Sequence, residues 1–159
     1  MTMRETAWCV TASPVGPLRL GEDERGICSL EYLDAGAPLR PAPPESRWLA
    51  QAVRELEEYF AGERRAFTVP LSPEGTAFQK RVWAELRRIP WGETRSYGQI
   101  AAAIGQPGAA RAVGMANNRN RLPIFIPCHR VVGADGSLVG YSDGLAIKRL
   151  LLELEREQE

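Results

Sequence analysis

Residues 96–114 read SYGQIAAAIGQPGAARAVG and predict two short helices joined by a turn. Ser96 and Gln99 form a capping-box pattern that starts the first helix, and Gly105 ends it. A second helix begins at Ala109, after the turn. Two short helices joined by a glycine-containing turn are typical of a helix-turn-helix element that binds DNA, although small helical hairpins also occur in enzymes that never bind DNA.

Small residues surround a single long cation in the second of these helices. Arg111 lies among Ala109, Ala110, Ala112 and Gly114. The surface of this helix is therefore close to bare backbone, and it can approach another surface very closely. Tight helix packing in a core gives the same pattern, and the composition alone favours that alternative.

Upstream of this stretch, the sequence predicts an N-terminal α/β lobe over residues 1–70. Short β-like runs alternate with turns, which predicts an antiparallel meander. Ser46 can cap a helix that ends at Gly62, and residues 65–69 are predicted to return as a further strand. We find no reactive constellation in this lobe.

The second predicted lobe spans residues 76–159. Thr76 and Gln79 form another capping box, and the helix that they start is stopped by Pro90. Charge separates the lobes, because residues 1–75 carry eight basic and twelve acidic side chains whereas residues 76–152 carry eleven basic and four acidic ones. This excess of positive charge is consistent with a polyanionic partner such as nucleic acid. An arginine-rich codon bias gives the same pattern, since 18 of the 20 basic residues are arginine, and charge alone favours that alternative.

Composition excludes several classes of protein. The chain has 159 residues, of which 44% are hydrophobic and 25% charged, a profile of a globular protein. No stretch approaches the roughly 18 apolar residues that a membrane helix needs, and the start lacks the apolar region of a signal peptide. We therefore expect a cytoplasmic protein with no membrane partner.

The segment PIFIPCHRVVG, residues 123–133, carries the candidate chemistry. It places the thiol of Cys128 beside the imidazole of His129 and the guanidinium of Arg130. A neighbouring cation lowers the pKa of a thiol, and the thiolate is the nucleophilic form. The alternative is a buried, inert cysteine followed by an ordinary surface pair, which a bare Cys-His dipeptide favours.

The C-terminal helix offers a partner for the imidazole. Lys148 and Glu155 share one of its faces, and a carboxylate there could orient His129 as the third member of a triad. The sequence alone favours a solvated Glu155. Cys9 and Cys28 lack CxxC spacing and lie far from Cys128 in the chain, so we expect no metal site and no cofactor.

These segments together resemble the O6-alkylguanine-DNA alkyltransferase family, and the resemblance spans about residues 76–157. The matching positions lie in order at fitting intervals: Tyr97 within RSYGQI, the run AARAVG at 109–114, Asn120, the run IPCHRVV at 126–132, the loop GYS at 140–142, Lys148 and Glu155. The N-terminal run SPVG at 13–16 and the helix end YFAG at 59–62 are similar to the more variable lobe of the family.

The resemblance implies roles for five catalytic residues. Cys128 would accept the alkyl group irreversibly, so that each molecule acts once. His129 would be a water-bridged general base oriented by Glu155, and Asn120 would support the turn around the site. Tyr97 would donate to a ring nitrogen, so that the guanine leaves neutral.

The resemblance also implies how DNA is bound. The partner would be double-stranded DNA containing O6-alkylguanine, which is flipped out of the helix while Arg111 fills the gap. The small-residue helix with Ala109, Ala110 and Gly114 would lie in the minor groove, together with Tyr97. The base pocket would be lined by Val131, Tyr141, Ser142 and Lys148. We expect a monomer.

The expected fold class is α+β, with a small antiparallel sheet in the N-terminal α/β lobe and a mostly helical C-terminal lobe that carries a winged helix-turn-helix-like element. Arg121 stands where the family commonly has proline, which leaves the shape of that turn open. Asp143 stands where glycine is usual and could narrow the pocket. The alternative functions are a helix-turn-helix module that binds damaged DNA without chemistry, and a Cys-His hydrolase.

Overall fold

A computed structural model describes residues 5–139, 141 and 144–157. Ser142 and Asp143, which the sequence placed at the base pocket, lie outside the described residues. Contacts divide the chain into two compact units, with the division between Glu74 and Gly75. Both helices and small sheets are present, so the predicted α+β class is confirmed.

The first unit is built on a three-stranded antiparallel sheet. Strands β1 (Ala7–Thr11), β2 (Leu18–Glu22) and β3 (Ile27–Tyr32) pair in sequence order, as the predicted meander requires. Helix α1 (Leu49–Phe60) packs on β1 and β2. Their contact forms a core of residues that are all buried: Cys9, Leu18, Leu20, Leu49, Ala52, Leu56 and Tyr59.

A carboxylate from the sheet, together with the nearby hydroxyl of Ser46, organises the start of α1. The N-cap residue Trp48 makes no side-chain capping bond. Instead the buried Glu22 side chain accepts the backbone N–H groups of Trp48 at 2.9 Å and Leu49 at 3.1 Å. The predicted cap Ser46 lies outside the helix, although its hydroxyl also accepts the Leu49 N–H at 3.0 Å.

The predicted strand at residues 65–69 is wrong. The backbone N–H groups of Thr68 and Val69 donate to the carboxylate of Glu55, at 2.9 Å and 3.1 Å. Because this buried side chain of α1 takes those donors, they are not available to a neighbouring strand. The chain rejoins the sheet only at an isolated bridge between Ile27 and Leu71.

The second unit is mostly helical. Its helices are α2 (Ala77–Leu86), α3 (Tyr97–Ala103), α4 (Ala110–Asn118) and α5 (Leu145–Glu157). Both predicted capping boxes form, with Thr76 and Ser96 as the N-cap residues. No helix within the described ranges is long and apolar enough to cross a membrane.

A short parallel pair connects the helices to the candidate reactive segment. Strand β4 (Arg95–Ser96) leads directly into α3, and β5 (Val131–Val132) follows a single 3-10 turn formed by Cys128–Arg130. Arg95 pairs with Val131, and Ser96 pairs with Val132. This pairing brings the start of α3 beside the residues that follow Cys128.

Replacement of Glu22 by alanine should destabilise the first unit. The substitution removes the Glu22 acceptor of the Trp48 N–H and leaves the Leu49 N–H with Ser46 alone; the loss of an acceptor from a donor shielded from water typically costs about 1–3 kcal/mol of unfolding free energy. Urea denaturation of Glu22→Ala and of Glu24→Ala, whose side chain is exposed in the neighbouring turn, provides the comparison. Equal stabilities of the two variants would show that Glu22 does not organise the helix.

Candidate active site

Asn120 and an apolar anchor hold the segment that precedes Cys128. The Asn120 side chain donates to the carbonyl of Ile126 and accepts the Leu122 N–H, both at 2.9 Å. Leu122, Ile124 and Ile126 are fully buried. Arg121, which stands where the resemblance leads one to expect proline, is exposed. The turn is closed by the two bonds of the Asn120 side chain, and these bonds do not need a proline at position 121.

Ile124 adopts a left-handed backbone conformation, with a φ of 75°. This is uncommon for a non-glycine residue and is strained for a β-branched one. Burial of the side chain and the Asn120 bonds on both sides of it hold the conformation in place. The segment therefore enters the turn at Cys128 in a fixed geometry.

The 3-10 turn buries three functional side chains in succession. Cys128, His129 and Arg130 are each at most 5% exposed. A guanidinium is almost never buried without an ionic partner. Its partner here comes from α5, 25 residues further along the chain.

Glu155 binds both His129 and Arg130. One carboxylate oxygen lies 2.6 Å from His129 Nε2, and the two oxygens accept from Arg130 Nε at 2.8 Å and Arg130 Nη2 at 2.9 Å. Arg130 Nη1 also donates to the Ile89 carbonyl at 2.6 Å. Glu155 is 1% exposed, so the interpretation of this residue as a solvated acid is wrong.

The charges in this cluster follow from its hydrogen bonds. Burial opposes ionisation of Glu155, but the bonds from His129 and Arg130 outweigh it and lower the pKa of the carboxyl to about 2. Burial lowers the pKa of His129 despite the bond to Glu155, and the charges of Arg130 and Lys148 lower it further. Glu155 is therefore an anion paired with Arg130, and His129 is neutral.

A neutral His129 that donates its Nε2–H to Glu155 carries its lone pair on Nδ1. Nδ1 is buried and has no hydrogen-bond partner in the described part of the chain. The tautomer is fixed by the carboxylate, because an anion accepts a hydrogen bond and cannot donate one. The imidazole can therefore accept a proton at Nδ1 while Glu155 stabilises the resulting positive charge.

Lys148 ties α5 to the residues that follow the turn. Its buried ammonium donates to the carbonyls of Val131 at 2.5 Å and Val139 at 2.8 Å. Burial lowers the pKa of Lys148 to about 8, and the nearby Cys128 acts in the opposite direction. The ammonium also lies 6.0 Å from the ring centre of the buried Tyr141.

Tyr97, at the start of α3, binds the Val139 carbonyl that Lys148 also binds. Its half-buried hydroxyl donates to Val139 at 3.0 Å. Burial raises the pKa of Tyr97, and the proximity of Cys128 raises it further. The phenol therefore keeps its proton at neutral pH, and the structure brings Tyr97, Val131, Tyr141 and Lys148 to one side of the reactive turn.

The predicted DNA-binding helix begins at Ala110, one residue later than predicted. Arg111 is exposed, and Val113 on the opposite face is buried. The alternative, in which α4 is packed tightly in the core, holds for the face of Val113 but is wrong for the face of Arg111. Gly114 faces Tyr97, since a Cβ atom there would lie 3.7 Å from the Tyr97 ring.

Sequence reasoning missed two buried partners of the turn. Arg130 was considered only as a cation near the thiol, although it is the main ionic partner of Glu155. Asn117 was not considered, yet its side chain donates to the Cys128 carbonyl at 3.4 Å. Its spacing from the buried Val113 places it on the same face of α4, and this spacing is the signal that could have revealed it.

The other two cysteines differ from Cys128 in their surroundings. Cys9 and Cys28 are buried in the first unit. Burial raises the pKa of each to about 11, and the carboxylates of Glu22 and Asp23 add to the effect. Both thiols are therefore protonated at neutral pH. Within the described residues no group of histidine, cysteine or acidic side chains could hold a metal ion.

Two domain families match the chain. Residues 77–157 match the DNA-binding domain of 6-O-methylguanine DNA methyltransferase, and residues 7–73 match the ribonuclease-like domain of the same protein. The two matches together cover nearly the whole chain.

Individual relatives are similar over almost their full length. A methylated-DNA–protein-cysteine methyltransferase of Methanosarcina acetivorans is 49% identical over an alignment of 153 residues, and the match covers 93% of this chain and 97% of that protein. The protein of the same name from Mycobacterium leprae is 51% identical over 148 residues, 92% of this chain and 90% of that one.

Solved structures agree with these matches. The O6-methylguanine methyltransferase of Mycobacterium tuberculosis is similar with a TM-score of 0.84 and 46% identity, over 96% of this chain and 93% of that one. OGT from the same organism, solved in complex with DNA, gives a TM-score of 0.82 and 46% identity over 94% and 92% of the two chains.

Replacement of Glu155 by glutamine should lower stability in a pH-dependent way. The amide leaves Arg130 buried without an anion, and we expect a loss of about 3 kcal/mol of unfolding free energy at pH 7. The carboxyl has a pKa of about 2 in the folded state and about 4.3 when unfolded. Its contribution is therefore present above about pH 4.3 and lost as the pH falls toward 2.

Urea denaturation at pH 7, 5 and 3 measures this effect. The gap between the parent and Glu155→Gln should narrow at pH 3, and Glu153→Gln, an exposed change on the same helix, should show no gap at any pH. A constant gap across this range would contradict the assignment of Glu155 as the ionised partner of Arg130.

Proposed function

The chain belongs to the 6-O-methylguanine DNA methyltransferase family, and on that basis we propose that Cys128 is the cysteine that accepts the alkyl group. The protein is a DNA repair protein that transfers an alkyl group from DNA to a cysteine of its own, a stoichiometric reaction that each molecule performs once. The observation that carries the proposal is the buried Glu155–His129 pair, which holds a base next to Cys128 in the chain.

Cys128 is activated by proton transfer to His129. The thiol proton goes to Nδ1, through a bridging water molecule, and the imidazolium that forms is stabilised by its bond to Glu155. Arg130 favours the ionised form of Glu155 through its two hydrogen bonds to the carboxylate. The thiolate thus forms beside the imidazolium, and its formation needs no further anion.

The transfer itself is a displacement at the alkyl carbon of O6-alkylguanine. The sulfur of Cys128 forms a bond to that carbon as the bond from the carbon to guanine O6 breaks, and the electron pair passes to the base. Tyr97 transfers its hydroxyl proton to a ring nitrogen, so that the guanine leaves neutral. The phenolate regains a proton from solvent and the imidazolium releases one, so that both side chains return to their neutral forms. To reach the base, the Tyr97 hydroxyl gives up its bond to the Val139 carbonyl and bonds to the ring nitrogen instead.

DNA is bound through α4, which enters the minor groove. The exposed Arg111 fills the gap left by the flipped base and offsets part of the lost stacking. The neighbouring side chains are small, so the backbone of α4 can come close to the floor of the groove; these neighbours are Ala109, Ala110 and Gly114. Since the minor groove carries a degenerate pattern of donors and acceptors, recognition depends on the lesion more than on the sequence around it.

The base pocket is formed by the residues that surround Lys148. Val131 and Tyr141 supply apolar walls, and Lys148 fixes the Val131 and Val139 carbonyls. Ser142 stays a predicted pocket residue. One chain supplies all of these groups, which supports a monomer, and the need for a reduced Cys128 supports a cytoplasmic location.

Cys128→Ser should abolish the reaction, whereas Cys9→Ser and Cys28→Ser should retain it. A duplex containing O6-methylguanine is incubated with each protein, and the intact mass and the tryptic peptides are measured. The parent should gain one methyl group per molecule on the Cys128 peptide, because the other two thiols are protonated at neutral pH.

Each other outcome identifies another function. Binding without a gain in mass would indicate a module that recognises damaged DNA only, and turnover of many duplexes per protein would indicate an enzyme of the hydrolase type. A methyl group found on Cys9 or Cys28 would overturn the assignment of the acceptor.

Arg111→Ala should slow repair of duplex DNA by about tenfold or more, because part of a flipping cost of a few kcal/mol is no longer offset. Reaction with the free base O6-benzylguanine needs no flipping and should be much less affected. Arg87→Ala, which removes another exposed cation after the end of α2, controls for the loss of charge. Equal losses by Arg111→Ala on both substrates would count against the gap-filling role.

A further inference from the structure

Met115 is an exposed apolar side chain on α4 that the activity derived above does not use. Its side chain is 61% exposed. Single exposed apolar residues are common on protein surfaces and need no explanation by themselves. Met115 differs because of its place on the helix, one turn after Arg111.

The register of α4 fixes the direction of Met115. Residues four apart in an α-helix are separated by about 40° around the axis and about 6 Å along it. Met115 therefore stands beside Arg111, on the side of the helix opposite to the buried face formed by Val113, Ala116 and Asn117. Both side chains face away from the core.

The contacts of α4 also give the order of its faces. Asn117 donates to the Cys128 carbonyl, and Gly114 lies at the ring of Tyr97. At 100° per residue, the positions that follow Asn117 around the helix are Ala110, Gly114, Asn118, Arg111 and then Met115. Met115 thus lies beyond Arg111 as seen from the reactive turn.

We propose that Met115 is a second DNA-contacting residue, an apolar side chain that packs on the floor of the minor groove beside the gap filled by Arg111 and favours A·T pairs there. The inference rests on the proposed binding of DNA through α4. Apolar side chains, methionine among them, are used by proteins that kink DNA from the minor groove. Small neighbours such as Ala112 leave Met115 free to protrude.

The preference for A·T pairs follows from the chemistry of the groove. A·T pairs present only acceptors there, whereas a G·C pair adds the exocyclic amine of guanine, which is a donor and projects into the groove. A thioether is at most a weak acceptor. Packing Met115 over a G·C pair therefore displaces water from an additional polar group without replacing its bond.

Single-turnover transfer rates test the proposal, with O6-methylguanine duplexes whose pairs on both sides of the lesion are either A·T or G·C. The parent should repair the first duplex at least about fivefold faster, the lower end of what one contact to a base edge contributes. Met115→Ala should lose that advantage, and Met115→Leu, which keeps an apolar side chain of similar size, should restore it.

Two controls separate a DNA contact from a change in the protein. Leu150→Ala removes a side chain of α5 that is 50% exposed, and it should behave as the parent. Reaction of Cys128 with iodoacetamide, followed by peptide mapping, should be the same for Met115→Ala and the parent, because this reagent needs no DNA. Alanine is a strong helix former, so α4 is retained.

Duplex binding, measured by fluorescence anisotropy, makes the result independent of the transfer step. Met115→Ala should bind the A·T-flanked duplex more weakly than the parent does. If the parent bound DNA but transferred no methyl group, the proposed function would fail while the role of Met115 would still be decided by binding. Parent-like rates and affinity of Met115→Ala, or equal use of both duplexes by the parent, would overturn the inference.

Discussion

The ion pair between Glu155 and Arg130, buried in the second unit, is the interaction on which its functional site depends. The carboxylate accepts two bonds from the guanidinium and lies 2.6 Å from His129. It therefore connects α5 to the turn that carries Cys128 and fixes the orientation of the imidazole. Without Arg130, the same carboxylate would be buried with a neutral partner only, and its ionised form would be disfavoured. The arginine that follows the reactive dipeptide thus sets the charge of the whole cluster.

Two buried carboxylates also hold the backbone of the first unit in place. Glu22 accepts backbone N–H groups at the start of α1, and Glu55 accepts those of Thr68 and Val69. Glu22 supplies acceptors that the first turn of a helix lacks, whereas Glu55 takes donors that a strand would have used, so the local propensity of that segment is overridden. A buried carboxylate thus fixes the backbone in the first unit, whereas Glu155 in the second unit also binds the imidazole of His129 and so takes part in the candidate site.

Sequence patterns predicted the elements that local chemistry specifies. The two capping boxes at Thr76 and Ser96 and the meander of β1 to β3 are confirmed because their signals are contained within a few residues. The strand at residues 65–69 was wrong, since a buried Glu55 more than ten residues away takes its donors. Glu155 was placed on the correct helix by periodicity, yet its burial depends on Arg130, 25 residues earlier, and no local pattern reports that contact. The resemblance to a family supplied the proposed roles of the site residues, and the structure shows the contacts of His129, Glu155 and Asn120 on which those proposals rest.

Burial keeps His129 neutral, and Glu155 fixes its proton on Nε2 and so leaves the lone pair on Nδ1. His129 is the single histidine of the chain, so a nitrogen-15 NMR spectrum of the imidazole can be assigned without further variants. Between pH 6 and 8, the account predicts one protonated Nε2 and one unprotonated Nδ1, with protonation of the ring only at lower pH. An imidazolium at pH 7, or a neutral ring with its proton on Nδ1, would contradict it.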